Sequence, residues 1–265
     1  MARIAIGIEY DGSSFYGWQS QPALETVQGV LERAVSEIAC EKTKVIAAGR
    51  TDAGVHALEQ VAHFDTNASR PLQAWIRGVN RYLPPAVAVR WAVPVEPAFH
   101  ARFSAISRSY RYVLFNHPVR PALHSGRIGR YHRMLDVGRM SAAARYLMGE
   151  HDFSSFRSSE CQARSPVKTL HEASIQRNGD YVLFDFRAGG FLHHMVRNII
   201  GTLLWVGYGK MSAEAFAELL AARDRTLAAP TFAPDGLYFV GAEYDEHWRL
   251  PLTGRIMAHF DPGRV

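Results

Sequence analysis

The chain reads as an α+β protein made of two ferredoxin-like βαββαβ units whose antiparallel sheets meet at a central cleft. Three observations predict this. Apolar runs of period two mark strands, apolar stripes of helical period lie between them, and the order βαββαβ in the first half returns as βαββα(α)β in the second. A proline-containing, irregular stretch from Pro94 to Ala105 separates the halves. The expected boundaries are 1–105 for an N-terminal α+β unit, 106–245 for a C-terminal one, and 246–265 for an irregular tail containing Pro251 and Pro262.

The elements follow in order. Isoleucine at 4, 6 and 8 makes Arg3 to Glu9 a strand, ended by the turn Tyr10-Asp11-Gly12-Ser13. Val27, Val30, Leu31, Ala34, Val35 and Ile38 share one helical face. Strands at Thr43 to Ala48 and Leu58 to Phe64 flank the loop Gly49-Arg-Thr-Asp-Ala-Gly-Val-His56. Pro71 suits the first turn of a helix to about Tyr82, and Pro84-Pro85 stops it before a strand at Val87 to Val93. In the second half, Ser107 to Phe115 is a strand and Val137 to Met148 an amphipathic helix. Val167 to Gln176 and Tyr181 to Arg187 form a hairpin turning at Arg177-Asn-Gly-Asp180. A long helix covers Phe191 to Tyr208, Ser212 caps another to Ala222, and Leu237 to Glu243 is the last strand.

Composition narrows the function. With 265 residues, 48% hydrophobic and 21% charged, the chain has enough apolar material for one large core or two small ones, which argues against disorder. Cys40 and Cys161 form no Cys-x-x-Cys pair, so neither a disulfide framework nor structural zinc is expected. The apolar start is too short for a signal peptide, and Ile199 to Val206 falls far short of the roughly 20 residues of a membrane span. The expectation is a cytoplasmic protein in a reducing compartment, with no membrane partner. Net charge is +5, and 26 of the 30 basic residues are arginine, whose planar fork suits phosphate and stacks on bases. That balance favours a polyanionic partner, although an arginine-rich composition also describes ordinary surface charge.

Three clusters carry possible chemistry. In the loop at 49–56, Arg50 and Asp52 stand two positions apart, on one side of an extended segment, between glycines that allow a ligand close to the backbone. A carboxylate among arginines stays ionised at neutral pH, and Asp52 is then a candidate nucleophile; the alternative is that it merely caps the turn. Arg108-Ser-Tyr-Arg-Tyr112 alternates arginine and tyrosine, so Arg108, Tyr110 and Tyr112 share a face that can stack a base or, equally, form half-buried sheet packing. His193 and Arg197 lie at i and i+4 of the expected helix, but no second ligand completes a metal site there, so no metal is expected. There is no phosphate-binding Gly-x-x-x-x-Gly-Lys-Ser/Thr loop, no dinucleotide Gly-x-Gly-x-x-Gly and no zinc-deaminase signature.

Taken together, Glu9-Tyr-Asp-Gly12 with Gly17-Trp-Gln19, Gly49-Arg-Thr-Asp-Ala-Gly-Val-His56, Phe99-His-Ala-Arg-Phe103, Arg108-Ser-Tyr-Arg-Tyr112, His193-His-Met-Val-Arg-Asn198 and Gly236-Leu-Tyr238 resemble the tRNA pseudouridine synthase A (TruA) family, in family order over nearly the whole chain. The resemblance implies the pseudouridine synthase fold, with a catalytic cleft between its units. It implies Asp52 as nucleophile, Tyr110 on the target base, Arg197 paired with Asp52, Arg50 helping to hold the flipped nucleotide and Leu237 packed beside the pocket. It further implies that uridines 38, 39 and 40 of the tRNA anticodon stem-loop are the substrate, that the enzyme is a homodimer, and that it uses neither metal nor organic cofactor. Ser20 departs from the pattern where the family often has a basic residue. The isomerisation is redox-neutral, so a carboxylate suffices, adding either to C6 of uracil or to C1′ of ribose. The competing class is a non-catalytic RNA-binding protein with the same charge and aromatic pattern.

Overall fold

The computed structural model describes residues 1–252. Of the tail expected at 246–265, the part from position 253 on lies outside the described residues. In chain order the elements are β1 (Ala2–Tyr10), α1 (Val27–Ala39), β2 (Ile46–Ala47), β3 (His56–Thr66), α2 (Val79–Tyr82), β4 (Val87–Val95), β5 (Ala105–Asn116), β6 (Gly129–Tyr131), α3 (Val137–Ala144), β7 (Gly149–Asp152), β8 (Val167–Asn178), β9 (Tyr181–Ala188), α4 (Met195–Gly207), α5 (Ala213–Ala222) and β10 (Leu237–Tyr244). The described residues divide into two compact units, one of residues 1–108 and 238–252, the other of residues 109–237.

In the first unit the strand order is β4-β1-β3-β10, with β2 also on β3. β1 runs antiparallel to both neighbours, Ile6 facing Ala62 on one side and Ala92 on the other. Ile4, Ile6 and Ile8 are buried, and so is Ala5 between them, because this strand is covered on both faces. Thr26 caps α1 by accepting from the Gly29 amide, and the helix buries Val27, Val30, Leu31, Ala34 and Val35 of the stripe read from the sequence, with Ile38 at its end only half-buried. A wider helical turn, Ala74–Gly78, leads into α2 and sets Trp75 edge-on to Phe64 at 5.1 Å. Of the strand expected over 43–48, only Ile46 and Ala47 pair with β3. The far edge of β3 is shared, since its first residues, His56 and Ala57, pair in parallel with Tyr238 and Phe239. The strand that comes last in the second repeat of the sequence thus extends the first unit's sheet.

In the second unit the order is β5-β9-β8-β7, with β6 parallel to β5. β8 and β9 form the expected hairpin, Asn178 facing Tyr181 across Gly179-Asp180. α3, α4 and α5 pack on one another, and 11 of the 13 residues of α4 are buried, which explains its nearly continuous apolar run. α4 starts four residues later than the sequence pattern suggests. His194 takes a left-handed backbone conformation, φ 61°, which no helix can continue through, so the first turn begins at Met195. The i, i+4 pairing expected of His193 and Arg197 is therefore not helical.

Candidate active site

The loop carrying Asp52 is fixed at nearly every backbone position by residues of the same unit. At its entry Gln60, fully buried on β3, donates through Nε2 to the Gly49 carbonyl (2.8 Å) and accepts from the Gly49 amide (3.4 Å). At its centre the Thr51 hydroxyl bonds the Tyr10 hydroxyl at 2.8 Å, and the Thr51 carbonyl accepts from the Trp18 amide at 3.0 Å. Burial pushes the Tyr10 phenol up to about 12, so it stays protonated at the loop's underside. The Gly54 amide donates to Phe15, and the Val55 amide donates back to Asp52 O at 3.1 Å, closing a turn. At the exit His56 accepts the Gly12 amide on Nδ1 (3.0 Å) and stacks on Tyr238 at 4.7 Å.

Two glycines make this packing possible. A Cβ on Gly12 would sit 2.0 Å from the Val55 carbonyl oxygen, and one on Gly17 would sit 2.9 Å from Thr51 O at a φ of +86° that side chains rarely adopt. The blocks Glu9-Tyr-Asp-Gly12 and Gly17-Trp-Gln19 are thus the bed on which the loop lies. Thr51, Val55 and His56 are consumed by this packing and buried. Asp52 is half-buried, and Arg50 and Ala53 are exposed, so the pinned loop turns a guanidinium toward solvent and keeps its carboxylate partly covered. Rigid backbone under a half-buried carboxylate is the arrangement a positioned nucleophile needs, because a side chain locked by its support loses little freedom when it attacks.

Arg108 ties this loop to the next motif. Its guanidinium donates to Ala48 O (3.1 and 3.3 Å), immediately before Gly49, and also to the carbonyls of Ala105 (3.1 Å) and Arg102. The arginine that the alternating pattern offered for a phosphate is thus engaged with backbone oxygens.

The remaining expected residues sit on the second unit. Tyr110 is 9% exposed and meets Phe191 edge-on at 4.9 Å. Tyr112, on the same face by sequence, is fully buried and gives its hydroxyl to Ala233 O at 3.0 Å, so it is a core residue. Arg111 is buried against Asp185, with Nε–Oδ1 at 2.7 Å and Nη2–Oδ2 at 3.0 Å. Arg197, on the first turns of α4, donates through Nε to Phe232 O at 2.7 Å, and the Phe232 amide returns to Arg197 O at 3.3 Å. Leu237 is buried and its amide closes a turn on Pro234 O at 2.8 Å. The segment 231–237 therefore links Arg197, Tyr112 and Leu237, with the Phe232 ring 5.6 Å from that of Tyr112. Asn198 is wholly buried and holds the same segment: its amide donates to Phe156 O (2.8 Å), and its Oδ1 accepts from Thr231 (2.7 Å) and Arg225 (3.0 Å).

Sequence reasoning missed the supports, Tyr10, Gln60 and Asn198. One signal could have found two of them: Gln60 and Asn198 are polar residues at positions where strand and helix periodicity demand apolar ones.

Residues 6–104 and 143–245 match the family model described as tRNA pseudouridine synthase. The chain therefore belongs to the tRNA pseudouridine synthase family, isomerases that convert uridine to pseudouridine. Within it, the chain is similar to proteins named tRNA pseudouridine synthase A. The one from Aromatoleum aromaticum is 58% identical over 255 residues, covering 96% of this chain and 97% of that protein. The one from Chromobacterium violaceum is 60% identical, covering 94% and 95%. Among solved structures, the archaeal box H/ACA sRNP Nop10-Cbf5 complex aligns over 76% of this chain and 44% of that one at 15% identity and a TM-score of 0.36. Among the described residues no helix is long and apolar enough to cross a membrane.

Proposed function

We propose that this isomerase acts on uridines 38, 39 and 40 of the tRNA anticodon stem-loop, with Asp52 as its nucleophile. The observation that supports the reading is the loop at 49–56, whose backbone is bonded down at Gly49, Thr51, Gly54 and Val55 while the Asp52 side chain is only half-buried. Asp52 adds to C6 of the uracil or to C1′ of the ribose; the N1–C1′ bond breaks, the base rotates, C5 bonds to C1′, and as the adduct resolves C5 loses its proton while N1 takes one up. The product has the composition of uridine, one proton being exchanged with solvent, and no electrons are exchanged, so the chemistry calls for no redox carrier.

The target uridine is hidden in a stacked arm and must be extruded. By family resemblance Arg50 holds the flipped nucleotide, Tyr110 contacts its base, Arg197 pairs with Asp52 and Leu237 packs beside the pocket. Action at three adjacent positions fits binding through phosphates and the shape of the arm, with little base readout. A homodimer working in the cytoplasm completes the proposal. The test is to incubate unmodified tRNA with the protein and map pseudouridine chemically along the whole molecule. New pseudouridine at 38 to 40 and nowhere else is expected; modification confined to another arm would overturn the substrate assignment.

A further inference from the structure

The block Phe99-His-Ala-Arg-Phe103 contains two phenylalanines with opposite fates. Phe99 is fully buried, packed against Tyr244 at 5.5 Å and Trp248 at 5.2 Å. Phe103, four residues on, is 75% exposed, and the Arg102 guanidinium lies over its ring, 5.5 Å from the centroid.

This exposed ring does not sit on a slack loop. Arg3 donates to the carbonyls of Pro97 (2.5 Å) and Phe99 (2.7 Å), and the Tyr244 hydroxyl donates to Ala101 O at 2.6 Å. The amides of Arg102 and Phe103 both donate to His100 Nδ1, at 3.2 and 3.3 Å, and the Ala101 amide donates to His63 Nδ1 at 3.2 Å. The His100 ring itself lies 4.3 Å from that of Phe103. The backbone is thus held rigid beneath an aromatic side chain that the protein leaves in water. Arg108 bonds the Arg102 carbonyl and the Ala48 carbonyl with the same nitrogen, which bolts this loop to the stem of the Asp52 loop.

We propose that Phe103 and Arg102 form a stacking platform for an unpaired base of the RNA substrate, a nucleotide other than the one isomerised. A flat apolar face beside a guanidinium takes a base on the ring and its phosphate on the cation, and every base offers a π-face, so the contact is tolerant of sequence. A platform whose backbone is already ordered loses little entropy on binding. The positive balance of the chain favours RNA over an apolar protein partner. The inference rests on the reading of tRNA as substrate and adds to it a second nucleotide contact, on the same unit as Asp52.

The experiment uses anticodon stem-loop RNAs with 2-aminopurine placed at one loop position at a time, titrated with the full-length protein and with Phe103→Ala, Phe103→Trp and Arg102→Ala. One position is expected to quench on binding, to lose that quench and about 5- to 100-fold in affinity with Phe103→Ala, and to recover both with Phe103→Trp. Thermal midpoints should not move, because the ring is mostly in water. Quench at no position depending on residue 103, Phe103→Ala affinity within twofold of the parent, or a change of oligomeric state in Phe103→Ala without a change in quench would each overturn the platform. Pseudouridine formation measured alongside keeps the two readings apart. Quench dependent on Phe103 with no turnover sinks the enzyme assignment alone, and turnover indifferent to Phe103 sinks the platform alone.

Discussion

At the scale of single residues, the supports beneath Asp52 set how well its carboxylate is positioned. Gln60 makes two bonds to Gly49 from a fully buried site, so Gln60→Ala leaves buried polar groups of the loop unsatisfied at about 1–3 kcal/mol. The expected outcome is a fall in kcat of at least about tenfold with KM nearly unchanged, because loosening the loop misplaces the reacting group without touching the RNA surface. A variant that raised KM alone would show that Gln60 supports binding and not positioning. Tyr10→Phe removes the bond to Thr51 and should act in the same direction more weakly. Asp52 and Arg50 were legible as candidates because charged residues in a glycine-flanked loop between strands stand out. Tyr10 was not, since in a strand pattern it reads as one more aromatic residue, and Gln60 showed only as a polar residue at an apolar strand position, with nothing in the sequence to say that it lies under the loop.

At the scale of elements, two predictions concern attachments. Asn198 ties α4 to Phe156 and to the segment carrying Thr231, so Asn198→Ala should cost on the order of 2–4 kcal/mol, seen as a lower urea midpoint with an unchanged slope. The second concerns His63 on β3, whose pKa burial pushes down to about 4, with His100 and Arg3 adding to the effect. Its neutral Nδ1 accepts the Ala101 amide. The unfolded chain binds this proton near pH 6.5 and the folded chain only near 4, so the stability from this group is present above pH 6.5 and is lost as pH falls from there toward 4. His63→Gln, which keeps an acceptor but does not titrate in that range, should flatten the decline in melting temperature across that window; an unchanged decline would place the acid sensitivity elsewhere. Elements with strong periodicity were readable: Ile4, Ile6 and Ile8 announce β1, and Thr26 with its apolar stripe announces α1. β7, Gly-Glu-His-Asp, was not, because nothing in those four residues favours a strand and only pairing with β8 makes it one. The start of α4 was misplaced for a related reason, as the left-handed backbone at His194 carries no sequence mark.

At the scale of the whole molecule, a chain of net charge +5 with 26 arginines should bind tRNA largely through phosphates. Raising salt from 50 to 200 mM should then weaken binding by about 10-fold or more, with a linear dependence of log Kd on log salt. A flat response combined with strong dependence on the bases flanking the target would contradict that. The doubling of the βαββαβ order was visible in the sequence, whereas the pairing of β10 with β3 was not, because a parallel partner 180 residues downstream leaves no local trace. The proposed reaction rests on one side chain, Asp52. The most direct measurement is tritium release from C5-tritiated uridine in tRNA by Asp52→Asn, with tRNA affinity determined on the same preparation. The account predicts release slowed by at least about 10³-fold with affinity within about threefold of the parent; release at a rate near that of the parent would contradict it.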